Sequence, residues 1–158
     1  MAGGVVSLPW LFYDWAMQKK IVICGIGNPY RSDDGAGVHA ARMLASDFAS
    51  YICETTPERF IDEICEHEAE TVIIIDSANF DGEPGEYRKL DVEDVENHTI
   101  TTHIIPIPLI VKMLERCGKK VEIYGIQFGD ISFGDRLSPE VEKGVERLIA
   151  ELKSKCSR

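Results

Sequence analysis

Clusters of basic residues, long apolar runs and closely spaced cysteine pairs are all missing from this chain. Lys and Arg number 17 against 27 Asp and Glu, which leaves a net charge of −10. Phosphate backbones and anionic lipid call for the reverse balance, so neither nucleic acid nor a membrane surface is an expected partner. No stretch approaches the roughly 20 apolar residues of a membrane-spanning helix. The five cysteines (Cys24, Cys53, Cys65, Cys117 and Cys156) contain no C-x-x-C pair and are odd in number. That pattern suits neither a zinc cage nor a disulfide framework, and it points to reduced thiols in a cytoplasmic protein. Two phosphate motifs are absent as well. No Gly-Lys-Ser/Thr ends a P-loop, and Tyr30 stands where the third glycine of a dinucleotide fingerprint would follow Gly25 and Gly27.

What remains is an ordinary globular composition, 44% apolar and 28% charged over 158 residues, enough for one continuous core. Residues 1–16 have no basic start and no small-residue cleavage site, so they read poorly as a signal peptide. They are expected to be an appendage, with a single domain over 17–158 that opens at Met17 and enters its first strand at Ile21.

Strand and helix signals alternate. Short β-branched runs predict strands over 21–25, 51–55, 71–76 and 121–127, and the turn at Gly82 to Gly85 leads into a further strand over 86–90. Apolar residues at helical spacing predict helices over 35–50, 57–67 and 108–117, the last closed by Gly118. Ser138-Pro139 opens a terminal helix, with serine as cap and proline at the first helical position. Alternation of this kind implies an α/β three-layer sandwich, a mostly parallel five-stranded sheet with helices on both faces.

The most informative stretch is Asp33-Asp34-Gly35-Ala36-Gly37, which begins five residues after the Gly25-Ile26-Gly27-Asn28 turn. A strand, a glycine-rich turn and a helix normally make an anion site, because the helix start offers unpaired N–H groups. Here the entrance carries two carboxylates, which suits a cation or the activation of water. A plainer reading makes Asp33 a helix cap and Asp34 a first-turn acid complementing the dipole. Ligands of open parallel sheets collect beyond the carboxyl ends of the strands. That rule selects Asp34, Asp76, the Thr101-Thr102-His103 segment, Asp130 and Asp135. Two carboxylates and an imidazole on one edge suit nickel, zinc or iron with open coordination positions, and equally suit carboxylate-assisted attack of water on a peptide bond.

These segments resemble, in order, the motifs of the nickel–iron hydrogenase maturation endopeptidases. The resemblance runs from the Gly25–Gly37 motif through Ile75-Asp76-Ser77-Ala78, the 79–90 stretch with Pro84-Gly85, and Thr101-Thr102-His103. It ends on Gly125-Ile126-Gln127 and Leu137-Ser138-Pro139-Glu140-Val141. It covers roughly 21–152 and is nearest to the hydrogenase 3-type and archaeal subgroup. It implies that Asp34, Asp76 and His103 bind nickel, with Asp34 and Asp76 catalytic. The supporting loop is then Gly25, Gly27, Asn28, Asp33, Gly35 and Gly37. It further implies that the nickel arrives on the substrate, a hydrogenase large-subunit precursor that loses a short C-terminal tail. Phe128 departs from the pattern, since proline is expected after Gly125-Ile126-Gln127. His39, His67 and His98 belong to no motif and are expected to be structural.

Two rivals remain at this level. Gly25-Ile26-Gly27-Asn28-Pro29-Tyr30 is also similar to the start of bacterial peptidyl-tRNA hydrolases, but Arg31-Ser32-Asp33-Asp34 lacks that family's histidine, and the net charge of −10 opposes a tRNA substrate. A nickel chaperone would use the same three ligands without cleavage.

Overall fold

The computed structural model describes residues 20–98 and 105–156. The expectation for residues 1–16 lies outside them. In chain order the elements are β1 (Ile21–Ile26), α1 (Ala36–Leu44), β2 (Ala49–Glu54), α2 (Ile61–Glu66) and β3 (Thr71–Ala78). There follow β4 (Tyr87–Leu90), α3 (Val92–His98), α4 (Ile107–Arg116), β5 (Lys120–Gln127) and α5 (Pro139–Cys156). Single 3₁₀ turns at Ser32–Gly35 and Pro57–Phe60 precede α1 and α2.

The sheet runs β2-β1-β3-β5-β4, and only β4 is antiparallel to its neighbour. The expected α/β sandwich is thus present, with the one antiparallel strand at an edge. β3 is central and buried on both faces, as an alternating split of its aliphatics requires. Val72 and Ile74 join the layer that holds α2, α3 and α4. Ile73 and Ile75 join the layer of α1 and α5.

Helix α4 shows how packing overrides propensity. Ile107, Ile110, Val111 and Leu114 fall at i, i+3, i+4 and i+7 and are all buried. Burial of each is worth roughly 1.5–3 kcal/mol, against a β-branched propensity cost of about 0.5 kcal/mol per residue. Gly118, at φ +88°, then ends the helix. Its N–H donates to Glu115 O at 3.0 Å, and that of Lys119 donates to Leu114 O at 3.1 Å, the paired closure that a left-handed residue permits.

Four expectations need correction. The helix predicted over 35–50 stops at Leu44, because Ser46-Asp47 turns the chain and Ala49 already pairs with Val22 of β1. The helix predicted over 57–67 begins as a 3₁₀ turn and is α-helical only from Ile61 to Glu66. Helix α3 was not expected at all, since Val92 and Val95 are its only aliphatics. The cysteines are not all free: Cys65 and Cys117 form a disulfide, with their Cα atoms 5.7 Å apart across 52 residues of chain. They sit at the carboxyl ends of α2 and α4, and sequence spacing does not reveal that those ends meet. Cys24, Cys53 and Cys156 are buried thiols. Hydrogen bonding to Cys53, then burial, pushes the Cys24 thiol well above its ordinary pKa, so it behaves as a small core residue rather than a nucleophile.

Candidate active site

The chain leaves β1, builds β2 on one side of it, and then places β3 on the other. The crevice between the carboxyl ends of β1 and β3 is therefore the topological switch point of the sheet, the usual seat of a ligand. Asp34 lies in the 3₁₀ turn after β1, and Asp76 lies near the end of β3. Each is 1% exposed.

One serine joins them. The Ser77 hydroxyl donates to Asp34 Oδ1 at 2.7 Å, and the Ser77 backbone N–H donates to Asp76 Oδ1 at 2.8 Å. Asp34 Oδ2 accepts the Asn28 N–H at 3.2 Å. Both donors to Asp34 are neutral, so they orient its charge without cancelling it. Ser77 stood within a recognised motif, yet its bridging role has no sequence signal, because it depends on β3 running two residues beyond Asp76.

Glycines let these groups approach. Gly27 has φ +135°, and a Cβ there would collide with the Asp34 carbonyl while standing 3.7 Å from Asp76 Oδ1. Gly37 packs the first turn of α1 directly on the Ile75 and Ile26 carbonyls, and Gly25 faces Gly37 and Ala41 from the strand. Gly35 lies against Pro29. The Asn28 side chain accepts the Tyr30 N–H at 2.9 Å and closes the turn.

Asp33 has a different task. It is fully buried and makes no helix-cap bond. Its Oδ2 accepts the N–H groups of Gly129 at 2.9 Å and Asp130 at 2.8 Å and the Ser138 hydroxyl at 2.9 Å, while Oδ1 accepts the Ser138 N–H at 2.7 Å. The Ser138 hydroxyl thus points to Asp33, whereas sequence reasoning gave it to the helix start. Backbone pairing reinforces the junction, with Ser32 N–H to Gly134 O at 2.8 Å and Gly134 N–H to Tyr30 O at 2.9 Å. Asp33 thereby clamps the 129–138 loop onto the turn that carries Asp34.

The other expected positions divide. The Asp130 carboxylate turns to Ser132, whose hydrogen bonds hold its pKa below the ordinary carboxylate value. Asp135 lines a separate cleft on the outer side of the turn, together with His39. His103 lies outside the described residues, and among those described no three His, Cys, Asp or Glu side chains assemble into a metal cage. His67 accepts the Ala69 N–H at 3.0 Å, and His98 Nδ1 lies 3.0 Å from Asn79 O, both local structural roles. Phe128, where proline was expected, uses its N–H to bond Ala78 O at 3.3 Å, extending the β3–β5 pairing by a bond that proline cannot make. Gln127, not singled out from sequence, accepts the Phe80 and Gly82 N–H groups at 2.9 and 3.2 Å and so shapes the loop after β3.

Comparison with known proteins meets this geometry. The family model described as hydrogenase maturation protease matches residues 54–155. A Methanocaldococcus jannaschii protein provisionally named a hydrogenase maturation protease is 31% identical, over 85% of this chain and 86% of its own length. The hydrogenase 3 maturation protease of Escherichia coli K12 is 27% identical, over 85% and 89%. Among solved structures, a nickel–iron hydrogenase maturation protease from Thermococcus kodakarensis KOD1 superposes with a TM-score of 0.78 at 26% identity, covering 89% of this chain and 94% of that one. These relatives set aside the peptidyl-tRNA hydrolase resemblance, which rested on six residues of one turn. The chain belongs to the hydrogenase maturation protease family.

Proposed function

We propose that this protein is an endopeptidase that removes the C-terminal tail of a hydrogenase large-subunit precursor whose metal centre already holds nickel. In this reading Asp34, Asp76 and His103 share the nickel borne by the substrate. The observation that carries it is the joining of Asp34 and Asp76 through Ser77 at the switch point, in a chain of this family. Two oriented carboxylates in a buried setting interact strongly with a cation, because the surrounding dielectric is low.

Sharing the ion fixes the neighbouring peptide bond beside the carboxylates, and such positioning can supply several kcal/mol of the barrier, on the order of 7–11 for ideal alignment. A water then adds to the carbonyl carbon and gives its proton to one of the two carboxylates. That proton passes to the amide nitrogen as the C–N bond breaks, which releases the tail as an amine and leaves a new carboxylate. A cytoplasmic location is part of the proposal. The three buried thiols suit a reducing compartment, whereas the Cys65–Cys117 bridge favours an oxidising one. No described helix is long and apolar enough to cross a membrane.

The test is incubation of the purified protein with nickel-loaded and nickel-free precursor, scored by mass spectrometry. The expected result is loss of a C-terminal fragment from the loaded form alone, abolished by Asp34→Asn, Asp76→Asn or His103→Ala. Efficient cleavage of nickel-free precursor would overturn the shared-metal step. Nickel binding with no mass loss would leave a chaperone instead.

A further inference from the structure

The outer side of the Ser32–Gly35 turn carries a cleft of about 350 Å³ that the proposed chemistry does not use. Gly35 lines it from the end of the turn, and His39 and Arg42 from the face of α1 that continues it, at spacings of four and three residues. Asp135 and Arg136 line it from the clamped loop, and Glu142 from α5. Arg42 and Arg136 are exposed, and among the described residues neither guanidinium makes an ion pair or a hydrogen bond. Both stay unpaired among the described residues although Asp135 is the immediate neighbour of Arg136.

We infer that this cleft is a carboxylate-binding subsite for the substrate peptide, with Arg42 and Arg136 as its recognition residues. Guanidinium groups favour carboxylates through paired, planar hydrogen bonds. The two arginines are matched in number by Asp135 and Glu142, so the cleft is not strongly cationic. That balance disfavours a polyphosphate or nucleic acid and suits a single carboxylate on an otherwise uncharged segment. Ser32 and Gly35, which wall the cleft, also flank Asp33 and Asp34 in the chain. A four-residue 3₁₀ turn is about 8 Å long, and extended peptide spans roughly 3.3 Å per residue. A peptide crossing the turn would then place its carboxylate about two to three residues from the bond held at Asp34. The carboxylate is either an acidic side chain at that spacing or the terminal α-carboxylate of a very short tail.

This inference rests on the protease reading, and its test separates the two. Arg42→Gln, Arg136→Gln and the double variant are compared with wild type in steady-state cleavage of nickel-loaded precursor. The expected outcome is a KM raised about tenfold or more in the double variant, with kcat within twofold and an unchanged melting temperature. An unchanged KM would overturn the subsite. Precursors with each acid near the cleavage site changed to its amide, and one with an amidated C-terminus, tell the two carboxylate sources apart. The correct one should raise KM with wild type and add nothing with the double variant, whereas full additivity for every precursor would refute carboxylate recognition. Independently of cleavage, a fluorescein-labelled peptide spanning the site is titrated by anisotropy. Binding tenfold weaker to the double variant supports the subsite even if wild type cleaves nothing, and equal binding rejects it.

Discussion

Replacing Asp33 by asparagine should cost stability more than any other single-atom change in the turn. The carboxylate accepts four hydrogen bonds, three of them on Oδ2, from Gly129 N–H, Asp130 N–H and the Ser138 hydroxyl. In Asp33→Asn an amide can keep one oxygen toward either Ser138 N–H or this trio, and its NH₂ then faces donors on the other side. The hydroxyl can rotate to accept, but a backbone N–H cannot. Hydrogen bonds to a charged group contribute about 1.5–3 kcal/mol each, and a donor left unpaired in the interior costs about 1–3 kcal/mol. Gly129 and Asp130 are exposed and can turn to water, which removes most of their share. The remaining loss is roughly 2–4 kcal/mol, which for a domain of this size lowers Tm by on the order of 5–15 °C. Differential scanning calorimetry at pH 7 checks the shift, and amide exchange at Gly129, Asp130 and Ser138 checks its origin. A melting temperature within about 2 °C of wild type, or exchange accelerated elsewhere but not at these amides, would refute the clamp.

The neighbouring Asp34→Asn change keeps an oxygen for the Ser77 hydroxyl and should cost only about 1 kcal/mol, while cleavage of loaded precursor falls by two orders of magnitude or more; equal loss of activity and stability would contradict a functional role. Gly27→Ala forces a side chain into φ +135° and into the Asp34 carbonyl, so a loss of about 2 kcal/mol or more is expected on thermal melting, and wild-type stability would disprove the close approach. Cys117→Ser opens a bridge spanning 52 residues; chain entropy puts the resulting loss at up to about 4 kcal/mol on thermal melting, and five titratable thiols in the unreduced, denatured wild type would show that the bridge does not form. Asp47 is held below its ordinary pKa chiefly by its hydrogen bond from Lys153, a contact of 2.8 Å that ties the turn after α1 to α5. Its stabilising effect is therefore present above about pH 4 and lost as pH falls through the lowered folded value, so the Tm gap between wild type and Asp47→Asn should close on acidification; a gap constant from pH 6 to pH 2 would contradict the pairing.

The parts of the fold legible in sequence are those where one signal dominates. Ile21 to Cys24 and Thr71 to Ile75 are β-branched runs too short for helices, and they became adjacent central strands. The Gly118 stop was legible because a left-handed residue leaves glycine few rivals. Elsewhere two signals competed. Leu44 and Phe48 keep helical spacing, but pairing of Ala49 with β1 wins, so Phe48 is buried from a turn. In α3 the apolar stripe is only Val92 and Val95, too thin to register. The Cys65–Cys117 bridge depends on where two helices end in space, which no spacing rule encodes. Within the candidate site, strand-end placement was enough to select Asp34 and Asp76. It also selected Asp130 and Asp135, which face other ways, because loops beyond a strand end have no fixed direction.

Why two adjacent, chemically identical acids take opposite roles follows from the turn they share. A 3₁₀ helix has three residues per turn, so successive side chains diverge by about 120°. In Ser32–Gly35 that divergence aims Asp33 at the 129–138 loop and Asp34 at Ser77. All four hydrogen bonds of Asp33 come from that loop and the residue that leads into α5, so its acceptor sites are filled within the protein. Asp34 takes two bonds from neutral donors and keeps its charge oriented at the sheet's switch point. The same four residues therefore set the position of the candidate catalytic carboxylate and of the loop beside it, and neither can shift without the other. That divergence lets Asp33 hold the loop while Asp34 stays oriented at the switch point.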